Sequence, residues 1–463
     1  MKRLLSLLLA ALLLLSLAAC GEKNPTPDAS ERDTSGTDAP AAATTLTVLS
    51  ASPALSGALE EIAAAYRAKT GVSLRVQSEP AATYHGALST ALNRTADAPA
   101  LFALTGWDDF DAVRDRCADL GGTSLASFLS DRSLSLTDGG KLKAIPVDVT
   151  AWGLLYNEDV TDRYFALKDK KTSYASMDEI TDFQKLKALC EDMAAHKKEL
   201  GIDAVFADLP LRADSADWLR HAASPAVYAD VKDSDGPVAA AVRGMKNFAF
   251  SLGDRVRDAL DLIFGGSVSG RKGLDSVSTA DAQKEFAAGK TAFLYSDSDS
   301  FSALQKAEGS TLQKDKLHFL PLYLGADGED ATGLTVRVNR YLAVNDRASE
   351  AQKQAAVDFL EWLFSAGDGK RFVKENLGYA SPLSTFEENE LPGDPLRSDA
   401  LRKIGKDGVT SVPDLSDGYP GGTFRSDTAS GLLAYTRGEK DWDDFVSDVK
   451  TGWNRAMEAM KTE

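Results

Sequence analysis

The sequence predicts an α/β fold built on a parallel sheet. Three observations carry that prediction. Between Thr45 and Leu104, short apolar runs alternate with segments whose apolar residues recur at helical spacing. Serine, proline and glycine punctuate the changes from one to the other. The order strand, helix, strand, helix, strand, at this spacing, calls for right-handed crossovers, which lay the strands parallel.

Taken in order, Thr45 to Ser50 (TLTVLS) reads as a strand. Ser52-Pro53 supplies an N-cap followed by proline at the first helical position. Leu55, Leu59, Ile62 and Tyr66 then share one helix face, and Gly71 closes the helix. Val72 to Val76 (VSLRV) alternates as a second strand, and Tyr84, Leu88 and Leu92 mark a second helix. Ala100 to Leu104 (ALFAL) is a short buried strand ending at Thr105-Gly106-Trp107-Asp108. In open α/β sheets ligands sit beyond the carboxyl ends of the strands. That rule puts Ser50, Ala51, Gly106, Trp107 and Asp108 on the rim of a site.

The middle of the chain reads as mostly helical. Phe183, Leu186, Cys190 and Met193 form one stripe, followed by Gly201, and Trp218 lies in the polar stretch ADSADWLRHAASP. Gln283 to Leu294 predicts a helix, a Gly289-Lys290 turn and a strand that opens into Tyr295-Ser296-Asp297-Ser298-Asp299. Two more strands are predicted at His318 to Leu324 and Thr335 to Val344. Ser349-Glu350-Ala351-Gln352 is a capping box. Its helix turns Ala355, Phe359, Leu360, Leu363 and Phe364 inward and ends at Gly367 or Gly369. Trp442, Phe445, Val449 and Trp453 set one face of a C-terminal amphipathic helix.

The chain has 463 residues, enough for two or three domains with large cores. Lys and Arg total 52 against 69 Asp and Glu, a net charge of −17, which disfavours a nucleic-acid binder. Three cysteines exclude a disulfide-rich scaffold, and four scattered histidines leave little for a metal site. At the N-terminus Lys2 and Arg3 precede an apolar run, Leu4 to Ala19, whose length suits a signal-peptide core better than a membrane span. The run ends in Leu17-Ala18-Ala19-Cys20, which resembles the lipobox of exported bacterial lipoproteins. That resemblance implies removal of residues 1–19, lipidation of Cys20 and an extracytoplasmic chain anchored to the cell membrane. Residues 20–45, rich in Pro, Ser, Thr, Asp and Ala, read as a disordered tether.

Three further segments line up with one family. Lys141 to Asp159 (KLKAIPVDVTAWGLLYNED), Glu285 to Asp297 (EFAAGKTAFLYSD) and Tyr341 to Pro382 resemble, in this order, segments of bacterial extracellular solute-binding proteins of family 1. The sugar-binding branch is nearest: maltose-, raffinose- and oligosaccharide-binding components of ABC importers. Where that branch carries Gly-Pro-Trp or Gly-x-Trp after the Ala-containing strand, this chain has Ser296-Asp297-Ser298. The resemblance implies a two-lobe, type II periplasmic-binding-protein-like fold with three interlobe crossings, near Pro146–Trp152, His318–Leu322 and Leu377–Pro382. It places the N-terminal lobe at 46–149 and 321–378 and the C-terminal lobe at 150–320 and 379–463. It further implies a monomer that binds a small-molecule solute, a carbohydrate, in the cleft by hinge closure, with ABC permease subunits as partners, no catalysis and no cofactor.

Sugars offer hydroxyls and apolar C–H faces, so their recognition wants carboxylates or amides beside aromatic rings. Trp107 and Asp108 supply both at a strand end; alternatively Trp107 packs under the next helix and Asp108 caps it. Asp148, Thr150 and Trp152 alternate at the first crossing, with Trp152 either in the cleft or in a core. Trp218, near Asp214 and Asp217, is a stacking platform or a core residue. Ser296 and Asp297 point to the cleft by analogy, or cap the helix that starts near Ser300. Arg337, Asn339 and Tyr341 form one polar strand face, and Tyr379, Phe424 and Arg425 are further candidates.

Other chemistries are absent. There is no phosphate-binding Gly-rich loop, no G-x-G-x-x-G, no G-x-S-x-G and no H-E-x-x-H. Asp233-Ser234-Asp235-Gly236 lacks the outer ligands of a calcium loop and reads as a surface turn. Cys117 and Cys190 are expected as two buried free thiols. Rival readings are an exported glycosidase using Asp108 and Asp148, the same fold carrying a peptide, polyamine or anion, and a sensor lipoprotein.

Overall fold

The computed structural model describes residues 45–460 apart from Thr95, Gly236, Asp407 and Gly422. The expected signal peptide and Cys20 lie outside the described residues, as does the tether up to residue 44. Thr45, expected as its last residue, already pairs with Ser73 at the start of the sheet.

Ten strands form the framework: β1 (Thr45–Ser50), β2 (Ser73–Ser78), β3 (Leu101–Leu104), β4 (Leu136–Asp138), β5 (Lys141–Asn157), β6 (Ala204–Phe206), β7 (Thr291–Asp297), β8 (Leu317–Leu320), β9 (Thr332–Val344) and β10 (Thr410–Pro413). The main path runs β2-β1-β3-β9-β5-β7-β6. β2, β1 and β3 are parallel, as the alternating N-terminal pattern predicts. The centre differs. β5 and β9 are long and antiparallel to each other, and they join the parallel trio to a second parallel pair, β6 and β7. The sheet is therefore mixed, and its two longest strands are its spine.

Local signals explain most boundaries. Gly71 ends the helix Ser56–Thr70 at φ 80°, its N–H bonded to the Arg67 carbonyl. The capping box at Ser349 and Gln352 is reciprocal and starts the helix Glu350–Ser365. Ser52 makes no side-chain cap; Pro53 to Leu55 is instead a single 3₁₀ turn before the helix. The strand expected over His318–Leu324 stops at Leu320, because Pro321 has no N–H to continue the ladder. Gly153 lets β8 approach β5: a Cβ there would lie 2.5 Å from the Leu320 carbonyl oxygen.

Apolar side chains gather on either side of the spine. Leu46, Val48, Ile62, Leu101, Phe359 and Leu360 belong to one core. Leu154, Phe183, Phe206, Phe264, Phe293 and Trp453 belong to a second, and further clusters gather around Leu155 and Phe286 and around Phe102 and Tyr84. Each such fully buried side chain contributes roughly 1.5–3 kcal/mol. Cys117 and Cys190 are buried free thiols, as expected, and burial pushes the Cys117 thiol up to about 12. One boundary is corrected. Tyr323 and Leu324, expected in the N-terminal lobe, pack in the core around Leu154 and Phe293. β8 is likewise no passage between cores at His318–Leu322; it lies along the C-terminal end of β5, and β9 is the strand that runs back. Among the described residues no helix is long and apolar enough to cross a membrane.

Candidate functional site

The spine leaves a gap. One edge of β9 pairs with β5 from Thr335 to Leu342, with a break in register around Asp148, while its other edge pairs with β10 up to Val336 and with β3 from Tyr341 onward. Residues 337–340 have no strand partner on that edge. β10 runs parallel to β9 and β3 antiparallel, so the carboxyl ends of both point into the gap from opposite sides. This is the topological position at which α/β sheets bind ligands.

A cavity of about 300 Å³ lies there. Gly106 and Trp107 enter from the end of β3, Asp414 and Asp417 from the end of β10, and Arg337 and Tyr341 from β9. Asp109, buried, accepts hydrogen bonds from the Thr105 backbone N–H at 2.9 Å and its hydroxyl at 2.7 Å. It is thus Asp109, not Asp108, that fixes the turn carrying Trp107. The Trp107 ring packs edge-on against Phe110 at 5.3 Å and is half-buried. Asp108 instead reaches across the rim to Arg243, on the helix Val238–Gly244, at 2.7 Å. Arg337 pairs with Asp417 at 3.0 Å, and Arg243 also donates to the Asp417 carbonyl at 3.3 Å. Chain from both cores is therefore tied together around one cavity.

A second cavity, of about 280 Å³, brings Trp152, Trp218, Ser296 and Asp297 together with His221 and Asp208. Trp152 stacks on His221 with ring centroids 4.0 Å apart and 14° between planes. Trp218 is anchored by its indole N–H, which donates to the Pro210 carbonyl at 2.8 Å. Burial raises the Asp297 carboxyl above the usual range, although the Asp299 backbone N–H bonded to it works the other way. Asp208 is fully buried and accepts from Ser269. Its backbone N–H donates to Glu285 at 3.0 Å, and burial together with the Asp208 carboxylate pushes Glu285 up to about 7.

The remaining candidates do not enter either wall. Asp148 is 9% exposed and accepts from the Ala380 N–H at 2.9 Å; burial raises its carboxyl and that bond opposes the rise. Thr150 donates to Asp299 at 2.7 Å and accepts from Asn339 at 2.9 Å. Tyr379 is buried under the Arg340 guanidinium, 5.2 Å from its ring. These groups brace the spine. Phe424 and Arg425 line a third cavity, of about 120 Å³, inside the second core. Its wall of Phe248, Phe250, Leu260 and Trp453 offers little to sugar hydroxyls.

Sequence reasoning missed Arg132, Tyr228, Arg243, Asp414 and Asp417 in the first cavity and His221 in the second. Asp414 and Asp417 follow β10, whose four residues (TSVP) are too short for a visible alternation. Arg243 sits on a short helix with no polar pattern of its own. No group of His, Cys, Asp and Glu among the described residues is arranged to hold a metal ion.

Comparison with known proteins was made on sequence and on structure. The profile of one family, described as bacterial extracellular solute-binding protein, matches residues 61–403. No curated protein matches the sequence. Among solved structures, a family 1 extracellular solute-binding protein from Bifidobacterium longum subsp. infantis superposes with a TM-score of 0.61 at 18% identity, over 89% of this chain and 99% of that one. The apo form of RafE from Streptococcus pneumoniae gives 0.61 at 13%, over 90% and 99%. The bacterial solute receptor AcbH, described as having an exclusive preference for β-D-galactopyranose, gives 0.63 at 15%, over 91% and 98%. At these identities the structures share the fold with this chain.

Proposed function

The chain belongs to the bacterial extracellular solute-binding protein family, and from that premise we propose that it is the substrate-binding component of an ABC importer, capturing a carbohydrate between its two lobes and delivering it to a permease. One observation carries the reading most. The carboxyl ends of β3 and β10 converge from opposite cores on the unpaired edge of β9, and put an indole, a phenol and several charged hydrogen-bonding groups around one cavity. Rings cover sugar C–H faces while carboxylates and guanidinium groups take the hydroxyls. A preference for a sugar is also what AcbH, of the same fold, is described as having.

In this reading β5 and β9 are the hinge, and Leu377–Pro382, tied to β5 through Ala380, is the third crossing. The N-terminal lobe is the β1–β3 side, and the C-terminal lobe takes residues near 150–336 as well as the tail. Ligand contacting both lobes shifts the equilibrium toward the shut form. Lipid on Cys20 holds the receptor beside its permease, and the lobes act as a monomer without catalysis.

A thermal-shift and tryptophan-fluorescence screen against mono-, di- and oligosaccharides tests this, with amino acids, polyamines and phosphate as controls. Ligand at a hundredfold its Kd stabilises the folded state by about 2.7 kcal/mol. A clear response to a control and none to any saccharide rejects the carbohydrate.

A further inference from the structure

The chain is strongly acidic, yet the wall of the first cavity is not. Arg132, Arg243 and Arg337 all line it, against the carboxylates of Asp414 and Asp417. The pairings within the protein show which charges remain free to meet a guest. Asp417 is bonded to Arg337 at 3.0 Å, and Asp108, at the rim, to Arg243 at 2.7 Å. Asp414 is bonded to His221 at 3.0 Å, and accepts from the Ser224 hydroxyl and the Ser416 N–H at 3.0 and 3.1 Å. Every carboxylate at this cavity thus has its partner. Arg132 has none: its side chain makes no ion pair or hydrogen bond among the described residues, and it is exposed at the cavity wall. Behind the wall, on the unpaired stretch of β9, Arg340 has Nε and Nη1 buried without hydrogen-bond partners. Among the described residues, the charged side chain that lines the cavity without a partner of its own is the Arg132 guanidinium.

We propose that the carbohydrate taken by this cavity is anionic, carrying a carboxylate or an acidic ester that Arg132 engages. The inference rests on the carbohydrate reading and adds the charge of the guest. Arginine suits the task because its planar fork matches an oxyanion in a two-point contact and stays charged at every working pH. Arg243 and Arg337 already reach into the same cavity and need only share donors with the guest. The chain's overall negative charge opposes the approach of an anion, so the local reversal of sign has to do the recognising.

Matched sugars that differ only at C6 test this on the purified full chain by calorimetry. D-Galacturonate is compared with D-galactose, and D-glucuronate with D-glucose, each also as the disaccharide; glucose 6-phosphate probes an ester source, and inorganic phosphate probes an anion without a sugar. The expected result is at least tenfold tighter binding of the charged member of a pair, weakening as sodium chloride rises from 20 to 300 mM. Arg132→Gln, a change at an exposed side chain, should lower that preference at least fivefold, the charged member of each pair losing far more affinity than its neutral counterpart. Neutral sugars binding as tightly as the charged ones would overturn the anionic guest and leave the carbohydrate receptor standing. Phosphate binding with no saccharide of either kind overturns both readings. A preference that survives intact in Arg132→Gln removes the role of Arg132.

Discussion

His221 Nδ1 lies 3.0 Å from Asp414 Oδ2, and this pair is the partition between two cavities: Asp414 faces the gap over β9, while His221 faces the pocket of Trp152 and Trp218. Burial works against the Asp414 charge, but the bonds from His221, Ser416 and Ser224 prevail and hold its carboxyl below the usual range. A carboxyl with a depressed folded-state pKa gives stability that is present above about pH 4 and is lost as pH falls through the depressed value. Asp414→Asn should therefore cost about 1.5–3 kcal/mol at pH 7 and less at pH 3, which lies below the carboxyl's ordinary value. Urea denaturation at the two pH values checks it; an equal loss at both would show that the charge is not what matters.

The Asp108–Arg243 pair is of a different kind. Asp108 is well exposed and Arg243 is partly so, and an ion pair with one solvated partner holds the rim with little energy. A double-mutant cycle of Asp108→Asn and Arg243→Gln should give a coupling of about 0.2–1 kcal/mol, fading at high salt. The Debye length of about 3 Å at 1 M salt leaves little of an exposed pair. A coupling of several kcal/mol, insensitive to salt, would show that the rim is far drier than its exposure implies.

The β1–β3 trio was legible because each strand is short, apolar or alternating, and set off from its neighbours by helices with clear stops such as Gly71. The place of Trp107 at the cavity wall was legible because it follows the carboxyl end of a parallel strand, where α/β sheets leave room for a cavity. Its partners across the gap were not, because Arg243 and Asp417 are brought to it by chain far away in sequence. Asp148 and Tyr379 carried the right chemistry in the sequence. In the fold, Asp148 caps the Ala380 N–H and Tyr379 lies under Arg340, so both were drawn into bracing the spine. Pairing direction at the centre was also hidden, since the alternation seen along β5 and β9 marks each as a strand but carries no information on which neighbour it pairs with or in which direction.

Glu285 offers a test of opposite sign. Its carboxyl, pushed up to about 7 by burial and by Asp208, stays protonated in the folded chain where the unfolded chain has already lost the proton. Stability contributed by such a group is present below about pH 4.5 and falls as pH rises through about 7. Gln at this position keeps an acceptor for the Asp208 N–H and never ionises. Glu285→Gln should leave stability near pH 5 unchanged and raise it at pH 8.5 by about 1 kcal/mol, a figure discounted for partial exposure. Melting temperatures at both pH values decide it: a variant that loses at pH 8.5 would mean that the charged form is the one the fold prefers.

Trp107 and Trp152 then separate the two cavities by function. Trp107 belongs to the gap over β9 and lies half-buried against Phe110 and the core around it, so Trp107→Ala should leave the fold within about 1–2 kcal/mol of the original. If the gap holds the guest, the same change should weaken saccharide binding at least tenfold, as expected for an aromatic anchor at the centre of a contact. Trp152 stacks on His221 beneath the partition, so Trp152→Ala should cost stability first, with affinity following only as far as Asp414 shifts. Calorimetric Kd values and urea midpoints on both variants give the comparison. The reverse order, with affinity lost in Trp152→Ala and kept in Trp107→Ala, would move the binding site to the pocket of Trp218 and Asp297. There the half-buried Asp297 carboxylate, which accepts from the Asp299 N–H, would become the group to examine.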